Sequence, residues 1–226
     1  MRFLRQCLVI AGKDLRAELR GKETINASLS FSLVILLLFS FAFDPTAEET
    51  RAICGGLLWL VFTFAGALVL NRSFARDLPN DCLDALITSP LPPTALFMGK
   101  VMANMLLLIT IEIVCLPIFG LFYNVNWTQQ FGMLFLVLVL TTWGLTVVGT
   151  MFSALTVNMR LRELMLPTLV YPIMIPGLLG AIQLTTLLAV GQPLTPEYYP
   201  WLKLLVGFDV IYTLLGLALV DTVLVG

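Results

Sequence analysis

Six apolar stretches dominate the chain: Ile25 to Phe43, Ala52 to Leu70, Val101 to Phe122, Phe131 to Val157, Leu164 to Val190 and Leu204 to Val225. Each is near the roughly 20 residues that a helix needs to cross a bilayer core. In hydrocarbon a backbone amide has no water to bond, so each stretch must pair its polar groups internally, as a helix does. Only 12% of the 226 residues are charged and mean hydropathy is +0.96, against about 25% charged in an ordinary soluble domain. An all-α integral membrane protein is expected, with residues 1–226 forming a single transmembrane domain. No appended soluble domain is visible, so a large polar active site or a nucleotide would have to come from another chain.

The basic residues orient the spans. Arg2, Arg5, Lys13, Arg16, Arg20 and Lys22 precede the first span, Arg72, Arg76 and Lys100 lie between the second and third, and Arg160 and Arg162 lie between the fourth and fifth. The alternate set of segments holds only Arg51 and Lys203. By the positive-inside rule the N-terminus, the long loop and the turn at Asn158 to Glu163 are cytoplasmic, and six spans return the C-terminus to that side. Within residues 1–24 the cations are interleaved with Phe3, Leu4, Leu8, Val9, Leu15 and Leu19, the pattern of an interfacial helix lying on the bilayer. Tyr123, Trp127, Tyr198, Tyr199 and Trp201 gather on the opposite side as an interface belt.

The one long polar interruption is the segment 71–100, NRSFARDLPNDCLDALITSPLPPTALFMGK. Leu78, Cys82, Leu83, Leu86 and Ile87 recur at helical spacing, with Asp77, Asn80, Asp81 and Asp84 largely on the other side. This predicts a short amphipathic helix, with Asp77 and Pro79 in its first turn. Ser89-Pro90 and Pro92-Pro93 end it, because proline lacks the amide donor and restricts the residue before it. Such a helix between two spans needs a partner surface, either lipid or another protein.

Inside the spans, ionisable residues are costly and are therefore candidates for function. Glu112 falls near the centre of the third span and is a candidate intramembrane polar site; a protonated carboxyl bonded to a neighbouring helix is the structural reading. Asp209 and Asp221 are read as lying toward the two ends of the sixth span, close enough to water to carry no meaning. Pro167, Pro172 and Pro176, with Gly177 and Gly180, make the fifth span a candidate hinge, since each proline frees a carbonyl. Gly144 and Gly149, with Thr141, Thr142, Thr146 and Ser153, suit close helix packing in the fourth.

Histidine is absent, and Cys7, Cys54, Cys82 and Cys115 are widely separated. The commonest haem and metal ligand is therefore missing, and no disulfide or zinc framework can be read. An intramembrane enzyme would need a catalytic motif, and none is present. An ATP-independent transporter or channel would be expected to show inverted repeats with matched interruptions, whereas only the fifth span is clearly interrupted. A transport subunit driven by a separate ATPase accounts for the loop helix, the N-terminal helix and the six spans together.

The run RSFARDLPNDCLDALITSPLPPTALFMGKVMAN resembles the signature segment of the haem exporter protein B (CcmB) family, the permease subunit of the cytochrome c maturation ABC complex. The Arg-x-x-x-Arg-Asp-Leu start, the Cys-Leu-Asp-Ala-Leu helix, the Ser-Pro-Leu-Pro exit and the Gly-Lys before the third span fall in order, and LPTLVYPIMIP of the fifth span is similar as well. The resemblance implies an ABC-2-type permease in the bacterial inner membrane, acting in haem delivery for c-type cytochromes. Its implied partners are the ATPase subunit CcmA, the membrane subunits CcmC and CcmD, and a second permease half; nucleic acid is not among them. It also implies an ATPase-coupling helix carrying Asp77, Leu78, Asp81, Cys82, Leu83, Asp84, Leu86 and Ile87. Haem is implied as cargo of the complex and ATP as the partner's ligand, with no cofactor bound by this chain itself. A permease for another substrate is the alternative within the class.

Overall fold

The computed structural model describes residues 2–44, 47–79, 82–123, 125, 130–157 and 159–225. These form eight α-helices: α1 (Arg2–Gly21), α2 (Glu23–Ala42), α3 (Glu48–Asn71), α4 (Cys82–Thr88), α5 (Pro93–Tyr123), α6 (Phe131–Thr156), α7 (Arg162–Ala189) and α8 (Tyr199–Val225). Six of them, α2, α3 and α5 to α8, are long and apolar enough to cross a membrane. The protein is thus an all-α, multi-pass membrane protein, with α1 and α4 as its two accessory helices.

Burial sorts the spans. Helix α3 is the hub: Leu58, Val61, Phe62 and Ala65 are sealed inside, and it packs against α2, α5, α6 and α7. Helix α2 is peripheral, burying a stripe of Thr24, Ser28, Ser32 and Leu36 while Phe31, Val34, Leu38 and Phe41 face outward. Outward apolar faces are what a bilayer selects, because lipid tails are as apolar as the side chains they touch. Small and hydroxylated residues let the backbones of α6 and its neighbours approach. Thr141, Thr142, Thr146 and Thr150 are buried there, and a Cβ on Gly144 would lie 2.6 Å from Asp209 Oδ1.

Polar pairs cross the bundle at several depths. Trp59 Nε1 donates to Thr185 Oγ1 (3.0 Å), Tyr171 OH to the Thr63 carbonyl (3.2 Å), Trp143 Nε1 to Thr213 Oγ1 (2.9 Å) and Ser153 Oγ to the Leu70 carbonyl (2.8 Å). These fix the rotational setting of each span, which the non-directional packing of apolar groups does not. Helix α7 runs without interruption through Pro167, Pro172 and Pro176. Each proline removes only one ladder bond, and the rest of the helix bridges the gap.

Helix α1 is not simply laid on lipid. Cys7, Ile10, Ala11, Asp14 and Glu18, at helical spacing, are buried, and the helix lies along the first part of α5. Gly99 makes the contact close, since a Cβ there would stand 2.6 Å from Ile10 Cβ. Leu4, Leu8 and Leu19 remain exposed on the flank, and Arg5, Arg16 and Arg20 lie further round. Apolar and cationic residues thus occupy its outer faces, while a third face belongs to the protein core.

Candidate functional site

The segment between α3 and α5 was the sequence feature richest in signal, and its polar residues converge on one junction. After Asn71 the chain makes a 3-10 turn at Ala75–Asp77, then passes to α4 and on to Pro93, the first residue of α5. Lys100, two turns into α5, is completely buried. Its ammonium contacts Asp77 Oδ2 at 2.5 Å, the Ser73 carbonyl at 2.8 Å and Asp14 Oδ2 at 3.2 Å, and lies 4.7 Å from the centre of the Phe74 ring. Lys13 of α1 completes the arrangement with Asp77 Oδ1 at 2.7 Å and Asp14 Oδ1 at 3.2 Å. Two lysines and two aspartates from α1, the turn and α5 thus compensate one another.

A second set extends the junction. Glu18 Oε1 accepts the amides of Thr24 (2.7 Å) and Ile25 (2.9 Å), capping α2 from the preceding helix, and its other oxygen pairs with Arg76. Arg76 also donates to the Asp14 carbonyl (3.1 Å) and to Thr24 Oγ1 (3.2 Å). Arg72 reaches Glu23 at 2.8 Å, and Asn104 donates to Ser73 Oγ (2.8 Å) and to Thr150 Oγ1 of α6 (2.9 Å). Burial pushes the Glu18 carboxyl upward, but the two amides, the Thr24 hydroxyl and Arg76 outweigh it and hold the group below its ordinary range. Burial likewise pulls the Lys13 ammonium down, and Asp77 and Asp14 more than restore it, leaving it above the ordinary lysine value.

The residues expected to form one amphipathic docking helix separate. Asp77 is buried in the turn before that helix, and α4 itself begins only at Cys82. The reason is electrostatic: two lysines claim the Asp77 carboxylate, which draws its backbone into the junction. Leu83 is 6% exposed and packs with Phe74, Ala154 and Val157, with Leu78, Ile87 and Val223 around them. The apolar face of α4 is therefore covered by the ends of α6 and α8. Leu86 is half-buried, whereas Cys82 is exposed and does not belong to that face. Asp81 lies outside the described residues, as does the side chain of Asp84. The exposed side of α4 presents Cys82, Ala85 and Thr88.

Of the other candidates, Pro167 lines a cavity of about 960 Å³ between α1, α2, α3 and α7, together with Phe31, Phe64, Tyr171 and Arg162. Pro172 and Pro176 are exposed on the outer side of α7. Glu112 is buried and accepts a hydrogen bond from Thr142 Oγ1 at 2.6 Å, an interhelical bond from α6. Asp209 requires correction. Helix α8 starts at Tyr199 and not at Leu204, so this residue lies ten positions in, about 15 Å along the axis. It is 7% exposed, and neither carboxylate oxygen has a hydrogen-bond partner among the described residues. Asp221 is exposed near the far end, as expected. Trp127 and Asn158 lie outside the described residues.

Lys13, Asp14, Glu18 and Asn104 were absent from the sequence-based site. Asp14 and Glu18, one turn apart in an otherwise basic helix, were its only visible signal. Among the described residues no group of acidic or cysteine side chains is placed to hold a metal ion. The junction ties the turn after α3 to α1 on one side and to the base of α5 on the other.

Comparison with known proteins agrees with the loop signature. The family model described as CcmB protein matches residues 5–223. The Rhodobacter capsulatus protein named heme exporter protein B is 31% identical over 175 residues, covering 77% of this chain and 80% of the relative. The Paracoccus denitrificans protein of the same name is 30% identical over 184 residues, covering 81% and 84%. In Escherichia coli K12 the like-named protein is 32% identical over 91 residues, covering 40% and 41%. With the family match running from α1 to the last turns of α8, this chain belongs to the CcmB family.

Proposed function

We propose that this protein is the permease subunit of an ABC-type complex that handles haem for c-type cytochrome assembly, coupling ATP hydrolysis in a separate subunit to haem movement or to release of a haem-loaded carrier. The haem assignment is supported by the name shared by its relatives. The coupling role is supported by one structural observation, the buried junction of Lys100, Asp77, Asp14 and Lys13. A loop joined to its bundle through paired buried charges moves with it, because separating those charges would strand each in a poorly solvated site.

In this reading the junction end of the bundle is cytoplasmic, both termini lie on that side, and the membrane is the bacterial inner membrane. The ATPase, CcmA, docks on the exposed side of α4, and CcmC, CcmD and a second permease half complete the assembly. ATP stays in the partner and haem is cargo. Because Leu83 is engaged by the protein's own core, replacing it would damage the fold, and the informative substitutions lie at Ala85 and Lys100.

Ala85→Arg should leave the chain folded in the membrane while the ATPase no longer co-purifies. Lys100→Gln also costs stability by removing the partner of Asp14 and Asp77, so it is scored per folded chain in native membranes. There it should retain the ATPase but lower haem attachment to c-type cytochromes. If no ATPase accompanies the wild-type chain under conditions that keep other transporters assembled, the coupling reading fails.

A further inference from the structure

Among the described residues, Asp209 is a carboxylate deep in the membrane with no polar partner on either oxygen. It belongs to the wall of a groove of about 460 Å³ between α5, α6 and α8, which Met105, Leu140, Trp143, Val210 and Leu214 also line. Val210 and Leu214 are 53% and 62% exposed, so the groove opens outward toward the lipid. Trp143 and Asp209 lie twelve and ten residues into α6 and α8, near the middle of the bilayer, while Met105 lines the groove nearer the junction. Trp143 spends its indole N–H on Thr213, leaving that donor unavailable to Asp209. Gly144 is the device that admits the carboxyl, since a Cβ there would lie 2.6 Å from Asp209 Oδ1.

An unsatisfied carboxyl in hydrocarbon is costly and calls for a donor. We infer that this groove receives a transmembrane helix of a different membrane subunit, which presents a hydrogen-bond donor at mid-bilayer depth to Asp209. In the free chain both carboxyl oxygens are buried, Oδ1 on the Gly144 side, so docking requires the side chain to turn off Gly144 toward the incoming donor. Lipid tails carry no donor at this depth. A second copy of this chain docked by the same face would set carboxyl against carboxyl at the symmetry axis, which disfavours it. The helical spacing of Val206, Val210, Thr213 and Leu214 along one wall suits the ridge of a fourth helix. The inference rests on the reading of this chain as part of a multi-subunit complex.

The test places a photo-crosslinking amino acid at Leu214, in the full complex in its native membrane. Expected is an adduct with one membrane subunit other than this chain, mapped to a membrane-embedded peptide that carries a side-chain donor. In Asp209→Leu that adduct should fall about tenfold, the worth of one intramembrane hydrogen bond, and Asp209→Asn, which keeps an acceptor oxygen, should largely retain it. Continued recovery of the ATPase with Asp209→Leu shows that the fold is intact; should that recovery fail, the Asn variant and the mapped adduct decide. An adduct with a second copy, with lipid alone, or one unchanged in Asp209→Leu would overturn the inference. Absence of ATPase from the wild-type complex would instead undo the functional reading on which it rests.

Discussion

The charged junction and the middle of the bilayer treat ionisable groups in opposite ways. At the junction Lys13, Asp14, Glu18, Arg76, Asp77 and Lys100 are held mainly by one another, with backbone groups satisfying most of what remains. In mid-membrane, among the described residues, Glu112 accepts from the Thr142 hydroxyl and Asp209 has no hydrogen-bond partner. Charges satisfied within the chain serve its own architecture, and their removal is felt in the isolated protein. A carboxyl left unsatisfied costs stability in the isolated protein, so its removal should act in the opposite sense.

Lys100→Met puts the sharpest test on that contrast. It strands Asp14 and Asp77 in a buried site and should lower stability by about 3–5 kcal/mol, read as a fall in the thermal unfolding midpoint in detergent. Adding Asp77→Leu should recover part of the loss, because the second substitution removes one of the stranded charges. A Lys100→Met protein as stable as the wild type would mean that the junction is not holding these elements together.

Asp209→Leu should act in the other direction. In the isolated chain it removes an unpartnered buried polar group and should raise stability by about 1–3 kcal/mol. A loss of stability would show that Asp209 already has an internal partner, and the comparison between the two regions would collapse.

Acid provides a milder probe of the junction. The Glu18 carboxyl lies below its ordinary value, so its contribution is fully present above the unfolded value and is lost as pH falls through the folded one. The Lys13 ammonium lies above its ordinary value, so its contribution is complete below the unfolded value and is lost only as pH rises through the folded one. The window between these limits includes neutrality. Cys7, which is 1% exposed on the buried face of α1, reports on the seating of that helix. Maleimide labelling of Cys7 is normalised at each pH to the rate for the unfolded chain, which removes the loss of thiolate in acid. On that scale it should stay slow across neutral pH and become relatively faster in acid, and Glu18→Gln should weaken that pH dependence.

The smallest effect concerns the joint between α1 and α2. Lys22 sits at φ 55°, in the left-handed region that glycine tolerates best. Lys22→Gly relieves that conformation at the cost of chain entropy and should raise stability by about 0.5 kcal/mol, read from the same unfolding curves. A clear loss would place the weight on the lysine side chain instead of its backbone.

Much of the architecture was legible before any coordinates. The six spans fell within a few residues of the helices found, except that α5 begins at Pro93 instead of Val101 and α8 at Tyr199 instead of Leu204. Both starts were hidden by polar or interfacial residues that a hydropathy argument discounts, and both misjudgements had consequences. They placed Lys100 in a loop and Asp209 near water, when one is sealed inside the junction and the other is three turns deep. The loop signature was recognised correctly as the family's mark. Its Asp77, Leu78 and Leu83 serve internal contacts instead of the outward face they were expected to form.

The amino-acid sequence by itself determined that this chain is a six-span helical membrane protein of the CcmB type. Hydrocarbon accepts only internally bonded backbone, and span length is a local property of consecutive residues. Which charges compensate one another was decided only by the tertiary structure. Lys13 meets Asp77 across 64 positions and Lys100 meets Asp14 across 86. Such pairings depend on how helices pack in three dimensions, and packing between apolar helices leaves little periodic trace in the sequence. The same reasoning applies to Asp209, whose isolation became visible only once every neighbour around it had been placed.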